Sequence, residues 1–287
     1  MAQEFAYHRP DSLAEACKLL RELGPDGLPL AGGTDVVVDL RRGAIEASQL
    51  VSLDHLAEMR GIRVEGDELR IGALTTPAQL EASDMVHTHR PELLDVVGVF
   101  GTPQVRNRAT IGGNLCTAAS CADLVPLLMA VKARVVVVGW SDRREVQLND
   151  FFDDHRKTTL EPGVLVVEVI VPSRRPSEGA SYQTFGLRAA NFISVAGVAA
   201  ALKLESQVCR EARLVLGAVA PTPLRVPTAE EKLEGRSLDV EVLREAASIA
   251  SLAAAPISDV RGSAEHRREL VSVLAMRALT SAWERAQ

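Results

Sequence analysis

The sequence predicts an α+β protein built in two parts, and three observations predict it. Strand-like runs such as LPLA, ARVVVVG and VLVVEVIVP are interspersed with helical patterns up to residue 172. A polar, proline-containing break, PSRRPSEGAS, then occupies 172–181 and marks the best candidate boundary. Beyond it, a pair of strands is followed by helices alone, the order expected of an α+β unit. The expected division is 1–175 and 176–287.

The elements follow in chain order. RPDSLAEACKLLREL offers Asp11 or Ser12 as a cap, with Leu13, Ala16, Cys17, Leu19, Leu20 and Leu23 at helical spacing. GPDG stops that helix, and LPLA reads as a short strand ending in the pair Gly32-Gly33. The following TDVVVDLRR is open to two readings, because three consecutive valines are poor helix formers. QLVSL is a strand, and GIRVEGDELRIG is a hairpin turning at Gly66-Asp67. TPAQLEAS and RPELLDVVGVF are helical, and His87 and His89 fall in a polar loop between them. TIGGNLCTAAS is expected as a second glycine turn, ahead of a helix that begins near Asp123. The strand ARVVVVG pairs with REVQL, and VLVVEVIVP is closed by Pro172. FISVAGVAAALKLE and CREARLVLGAVA form a hairpin. TAEEKLEG, DVEVLREAASIASLAA and SAEHRRELVSVLAMRALTSAWERA are helices.

Composition narrows the function classes. The chain has 287 residues, 47% hydrophobic and 24% charged, as expected for a globular protein with a substantial core. Aromatics are only 3%, so Ala, Val and Leu must fill that core. A net charge of −6 argues against a nucleic-acid partner, but backbone N–H groups can still bind phosphate locally. No run is long enough to span a bilayer. The N-terminus lacks the apolar core of a signal peptide, so a cytoplasmic location is expected. Cys17, Cys116, Cys121 and Cys209 form no C-x-x-C pair, so metal or iron–sulfur ligation by this chain is not expected.

Two diglycines, AGGT at 31–34 and TIGGN at 110–114, form the most informative constellation. Glycine admits a bulky anion close to the backbone, and a helix start offers unpaired N–H donors. Two such turns suit the two phosphates of one dinucleotide; they also suit ordinary tight turns. Asp35 lies close to that proposed anion, and must point away or cap the helix. The sequence has no G-x-G-x-x-G, no G-K-[ST], no H-E-x-x-H and no G-x-S-x-G. LRR at 40–42 and SRR at 173–175 read as solvated faces.

Taken together, FAYHRPDSLAEACKLL, LAGGTDVVVDLRRG, TPQVRNRATIGGNLCTAASCADLVPLL and HRKTTLEPGVLVVEVIVP resemble, in order and spacing, the FAD-binding medium subunits of molybdenum hydroxylases, the group of CO dehydrogenase and xanthine dehydrogenase. The resemblance runs over nearly the whole chain. It implies a two-subdomain FAD-binding domain of the PCMH, vanillyl-alcohol-oxidase-like type, followed by a smaller C-terminal α+β domain of the CO dehydrogenase flavoprotein type. It implies that Leu30, Ala31, Gly32, Gly33, Thr34, Asp35 and Val36 carry the FAD pyrophosphate on their amides. Thr110, Gly113, Asn114 and Ala118 would belong to the opposing wall, and Asp123 would bind the ribityl hydroxyls. Phe100 and Val166 would lie near the flavin ring.

Two positions depart from the family pattern. Gln183 stands where some members have a lysine near the flavin, and Asn191 where an acidic residue is found. No cysteine-rich insertion for a [4Fe–4S] cluster is present. The resemblance further implies an electron-transfer subunit with two partners. One is an iron–sulfur small subunit carrying two [2Fe–2S] clusters, the other a large subunit holding the molybdenum cofactor (molybdopterin), assembled as a dimer of heterotrimers. The alternative is a free-standing FAD-dependent oxidase or dehydrogenase of the same fold.

Overall fold

The computed structural model describes residues 4–287. A first lobe is built from β1 (Ala6–His8), α1 (Leu13–Leu23), β2 (Gly27–Leu30), α2 (Val36–Arg42) and β3 (Gln49–Ser52). Its strands form a parallel sheet in the order β1-β3-β2. Ser12, not Asp11, caps α1: its hydroxyl accepts the Glu15 amide at 3.2 Å, and the Glu15 carboxylate accepts the Asp11 amide in return. Ala16, Cys17 and Leu20 form the buried stripe of this helix.

TDVVVDLRR resolves as helix. Gly43 ends α2 in the left-handed conformation, with its N–H on the Asp39 and Leu40 carbonyls, and Arg41 and Arg42 sit in the last turn. The valines cost only a few tenths of a kcal/mol each in helix propensity, so these end signals prevail.

The second lobe comprises, in chain order, β4 (Ile62–Glu65), β5 (Glu68–Gly72), α3 (Pro77–Glu81), α4 (Asp84–His89), α5 (Leu93–Val97), α6 (Pro103–Arg106), α7 (Ile111–Thr117), α8 (Leu124–Ala130), β6 (Arg134–Val138), β7 (Arg143–Gln147), β8 (Phe152–Asp154), β9 (Lys157–Thr158) and β10 (Leu165–Pro172). An antiparallel sheet in the order β4-β5-β10-β6-β7 forms its base. Glu168 on β10 is 5% exposed and is paired with Arg63 and with Arg70, so this buried charge is compensated.

Two expectations fail in this lobe. His87 and His89 lie on α4, which Ser83 caps through the Val86 amide, rather than in a loop. TIGGN is not a turn: Thr110 is the N-cap of α7, and both glycines are helical. Glycine is a poor helix former, but a Cβ on Gly112 would lie 2.7 Å from the Ala73 Cβ. Gly112 is there so that α7 can pack against the chain leaving β5, and Gly113 leaves room for the Thr110 cap.

The C-terminal unit holds β11 (Glu178–Phe185), β12 (Ala196–Glu205), β13 (Val208–Gly217), β14 (Leu224–Arg225), α9 (Pro227–Leu233), α10 (Val240–Ala253) and α11 (Ala264–Ala286). Its antiparallel sheet runs β11-β12-β13-β14 and contains the expected hairpin. The break at 172–181 is shorter than expected, because β11 already starts at Glu178.

This sheet is buried on both faces. Val198, Ala200, Leu202, Leu214 and Leu216 belong to the core under the C-terminal helices. Ala180, Tyr182, Ala199 and Val215 belong to the core of the second lobe. Small residues allow the close approach. A Cβ on Gly179 would lie 2.1 Å from the Ala282 carbonyl of α11, and one on Gly217 would lie 2.7 Å from Pro126 of α8.

Candidate functional site

A cavity of about 470 Å³ lies between the two lobes. The loop from β2 into α2 forms one wall, contributing Ala31, Gly32, Gly33, Thr34, Asp35 and Val36. The opposite wall comes from Phe100, Thr110, Gly113, Asn114 and Asp123. A second cavity, of about 360 Å³, shares Ala31, Gly32 and Thr110 with the first and extends toward Arg60, Gln79 and Arg108. The two adjoin along these residues.

Gly32 and Gly33 serve different ends. A Cβ on Gly32 would fall 1.9 Å from the Arg108 carbonyl, so only glycine lets this loop lie flush on the second lobe. Gly33 has φ of +76°, the left-handed region that glycine adopts without penalty. The loop that results leaves its donors free. The amides of Gly32, Gly33, Thr34 and Asp35 donate to no acceptor among the described residues. Gly32, Gly33 and Thr34 are half-buried and Asp35 exposed, and a cleft wall carrying four unpaired amides is matched to an anion.

The second diglycine does not offer the same. Ile111 and Gly112 donate their amides to the Thr75 and Ala73 carbonyls, at 2.9 and 2.8 Å. Gly113 donates to the Thr110 hydroxyl at 3.0 Å, and Asn114 to the Thr110 carbonyl at 2.9 Å. The expectation of two equivalent anion-binding bends is therefore corrected: amides come from one wall only. What the opposite wall offers is side chains. Asn114 keeps its Oδ1 buried with no partner, which leaves an acceptor for a hydroxyl or amide of a bound group.

Asp123 stands at the N-cap position of α8, but its side chain makes no capping bond. Its Oδ1 accepts the Tyr182 hydroxyl at 2.8 Å and the Ser194 hydroxyl at 2.5 Å, both from the C-terminal unit. Thr184 extends the chain by donating to Ser194 at 2.8 Å. Burial pushes the Asp123 carboxyl above its usual range, and the two hydroxyls oppose this. Burial, followed by the Asp123 charge, holds the Tyr182 phenol far above 10.

Four residues expected in the site lie outside the cavity lining. The Leu30 carbonyl accepts the Leu53 amide. Val166 is buried within β10, next to a bulge that frees the Val167 carbonyl for the Ala73 amide. Gln183 lies on β11 and donates to Ser181 at 3.3 Å. Ala118 ends α7 in the left-handed conformation, and its carbonyl accepts the Arg156 amide at 2.8 Å.

Several residues that sequence reasoning missed meet at the cleft. Thr117 donates to Asp35 across it at 3.2 Å, and Arg156 pairs with Asp39. Both fall within segments that carry the family resemblance, but nothing there names their roles, because their partners are 82 and 117 positions away.

Comparison with known proteins agrees with this architecture. Residues 3–174 match the family described as the FAD binding domain in molybdopterin dehydrogenase, and residues 180–282 match the CO dehydrogenase flavoprotein C-terminal domain. The carbon monoxide dehydrogenase medium chain of Hydrogenophaga pseudoflava is 33% identical over 281 residues, covering 98% of each chain. The xanthine dehydrogenase FAD-binding subunit of Escherichia coli O157:H7 is 33% identical over 279 residues, 96% of this chain and 95% of that one. Among solved structures, the carbon monoxide dehydrogenase of H. pseudoflava that lacks the Mo-pyranopterin moiety superposes with a TM-score of 0.96 at 33% identity, over 99% of each chain. Quinoline 2-oxidoreductase from Pseudomonas putida 86 gives 0.93 at 28% identity, over 100% of this chain and 99% of that one. With both family matches in chain order and relatives alike from end to end, the chain belongs to the FAD-binding medium subunits of the molybdopterin dehydrogenases.

Proposed function

We propose that this chain is the FAD-carrying electron-transfer subunit of a heterotrimeric molybdenum hydroxylase. An iron–sulfur small subunit with two [2Fe–2S] clusters delivers electrons to it, and a molybdopterin-binding large subunit oxidises the substrate. The complex is a dimer of such heterotrimers in the cytoplasm, where the four unpaired cysteines stay reduced. The observation that carries the FAD assignment is the row of unengaged amides from Gly32 to Asp35, beside two cavities of about 470 and 360 Å³ that share Ala31, Gly32 and Thr110.

The residues present fit the group. Gly32, Gly33, Thr34, Asp35 and Val36 hold the diphosphate with main-chain N–H groups. Asn114 offers its unpaired oxygen, and Asp123 accepts from sugar-chain hydroxyls with the oxygen that Tyr182 and Ser194 leave open. Phe100, 8% exposed, lines the first cavity and would face the flavin there. Leu30, Ala118, Val166 and Gln183 act from behind the lining, through the backbone they hold. Bound FAD supplies the redox chemistry; the chain binds it, orients it and sets the charge around its ring. Residues 1–175 are the FAD-binding domain, and 176–287 form a domain that buttresses the cleft through Tyr182 and Ser194.

Native purification tests this reading. The chain should copurify with two partners, and the complex should contain flavin, iron, acid-labile sulfide and molybdenum in fixed ratio. A yellow protein that purifies alone and oxidises a substrate directly would instead establish the free-standing oxidase.

A further inference from the structure

The first wall of the cleft sets a charge problem. The loop that presents free amides to an anion runs directly into Asp35 and Asp39, and Asp123 lies opposite. Among the described residues, Arg156 is the cation that lines the first cavity, where Asp35, Asp39 and Asp123 lie; Arg60 and Arg108 line the second. A diphosphate against Gly32–Val36 would meet like charge from the same stretch of chain.

The structure answers at both acids. The Asp35 carboxylate accepts the Thr117 hydroxyl, and the Asp39 carboxylate is engaged by the Arg156 guanidinium. Asp39 is the more enclosed of that pair, its side chain 13% exposed against 44% for Arg156.

Arg156 is held in place by its backbone. It sits at the tip of the β8–β9 hairpin with φ of +59°, a conformation uncommon for any residue but glycine. Its amide is tied to the Ala118 carbonyl, and Ala118 is itself left-handed at φ +48°. A hairpin tip and a helix end are usual places for such backbone, and the amide tie fixes the β8–β9 tip against the end of α7. Asp39 is largely enclosed and Arg156 half-exposed, so the pair also ties the two lobes together across the cleft.

We propose that Arg156 is a positioning residue for the cofactor: its guanidinium neutralises Asp39 across the cleft, so that a doubly charged diphosphate can settle on the amides of an acidic loop. This rests on the FAD reading above and adds Arg156 and Asp39 as the pair that governs retention of the anion. The second lobe thereby latches α2 of the first over the bound group.

The test follows FAD release from the full-length flavoprotein after dilution, read as the recovery of flavin fluorescence. Arg156→Gln should release FAD about tenfold faster than wild type at low ionic strength, and the gap should narrow in about 0.5 M salt, as screening predicts. Adding Asp39→Asn to Arg156→Gln should bring release back to within about threefold of wild type, because the unshielded charge is gone. Arg156→Lys should retain most of the effect of arginine.

If Arg156→Gln does not fold, Asp39→Asn alone serves: it should release FAD no faster than wild type, and faster release would overturn the proposal. Wild-type release rates in Arg156→Gln would overturn it too. Failure of Asp39→Asn to rescue would replace shielding with direct contact between arginine and phosphate, and so overturn it as well. A wild-type protein that takes up no FAD would instead overturn the cofactor reading beneath it.

Discussion

Arg285, two residues from the C-terminus, closes a fork on Asp95 across 190 positions of sequence: Nη1 lies 2.6 Å from one carboxylate oxygen and Nη2 3.0 Å from the other. Nη1 also donates to the Ala180 carbonyl at 2.7 Å. The last turn of α11 is thereby joined both to α5 in the second lobe and to β11, which leads to Tyr182.

Arg285→Ala should therefore loosen the C-terminal domain against the cleft. Bidentate arginine–carboxylate pairs are strong, but this guanidinium is 37% exposed and partly screened. The expected cost is about 1–2 kcal/mol of unfolding free energy, checked by urea denaturation near pH 7. Asp95→Asn should cost a similar amount. The double variant should cost clearly less than the sum, since both single changes remove one interaction.

Gly33 separates two demands on the loop after β2. Gly33→Ala meets no clash, its Cβ coming no closer than 3.4 Å to Leu30, but it must hold φ of +76°. The expected cost is about 1 kcal/mol, with flavin content reduced but present. Gly33→Asp adds a negative charge beside the proposed phosphate and should abolish FAD retention while far-ultraviolet circular dichroism stays native. Gly32→Ala should fail at the earlier step, folding, because the Arg108 backbone occupies its Cβ position. Absorbance of bound flavin per folded chain distinguishes the three. Normal flavin content in Gly33→Asp would count against the placement of the diphosphate.

How legible this was in the sequence varied with the range of the interaction. The hairpins at 61–72 and 192–217, helix α1 and the three C-terminal helices depend on periodicity and end signals within a few residues, and they stood out. The β2–α2 loop was legible because glycines at 32 and 33 interrupt two apolar runs. TIGGN was misread for the converse reason. Its glycines argue against a helix locally, but the carbonyls of Ala73 and Thr75, almost 40 residues earlier, take the first amides and fix a helix start. Thr117 and Arg156 sit in recognisable segments and Tyr182 and Ser194 in none, but the roles of all four exist only once the lobes and the C-terminal sheet have met.

Asp123 should show an opposition between stability and binding. Its carboxyl titrates above the usual aspartate range because it is buried. The folded chain therefore holds this proton more tightly than the unfolded chain. Stability is lost as pH rises from the ordinary aspartate value, near 4, through the raised folded value. Asn in its place accepts from Tyr182 and Ser194 without a charge to bury. In the flavin-free protein, Asp123→Asn should gain melting temperature relative to wild type on going from pH 4 to pH 8. In the same variant FAD affinity should fall about tenfold, the order of one charged hydrogen bond. Equal pH profiles for the two proteins would show that Asp123 is not the buried titrating group.

Gly112 and Gly113 test whether the second diglycine is structural. Gly112 packs on Ala73 and gives its amide to the Ala73 carbonyl, so an added methyl must push α7 off β5. Gly112→Ala should lose about 1–3 kcal/mol, the usual cost of overpacking. Gly113→Ala would bring its Cβ to 2.8 Å from the Thr110 hydroxyl and displace the N-cap, at a cost of about 1 kcal/mol. Because neither amide is free for a ligand, FAD affinity measured on the folded fraction should change by less than about threefold in both, far below the loss in Gly33→Asp. A large affinity loss at Gly113 with unchanged urea stability would return that wall to the role of amide donor.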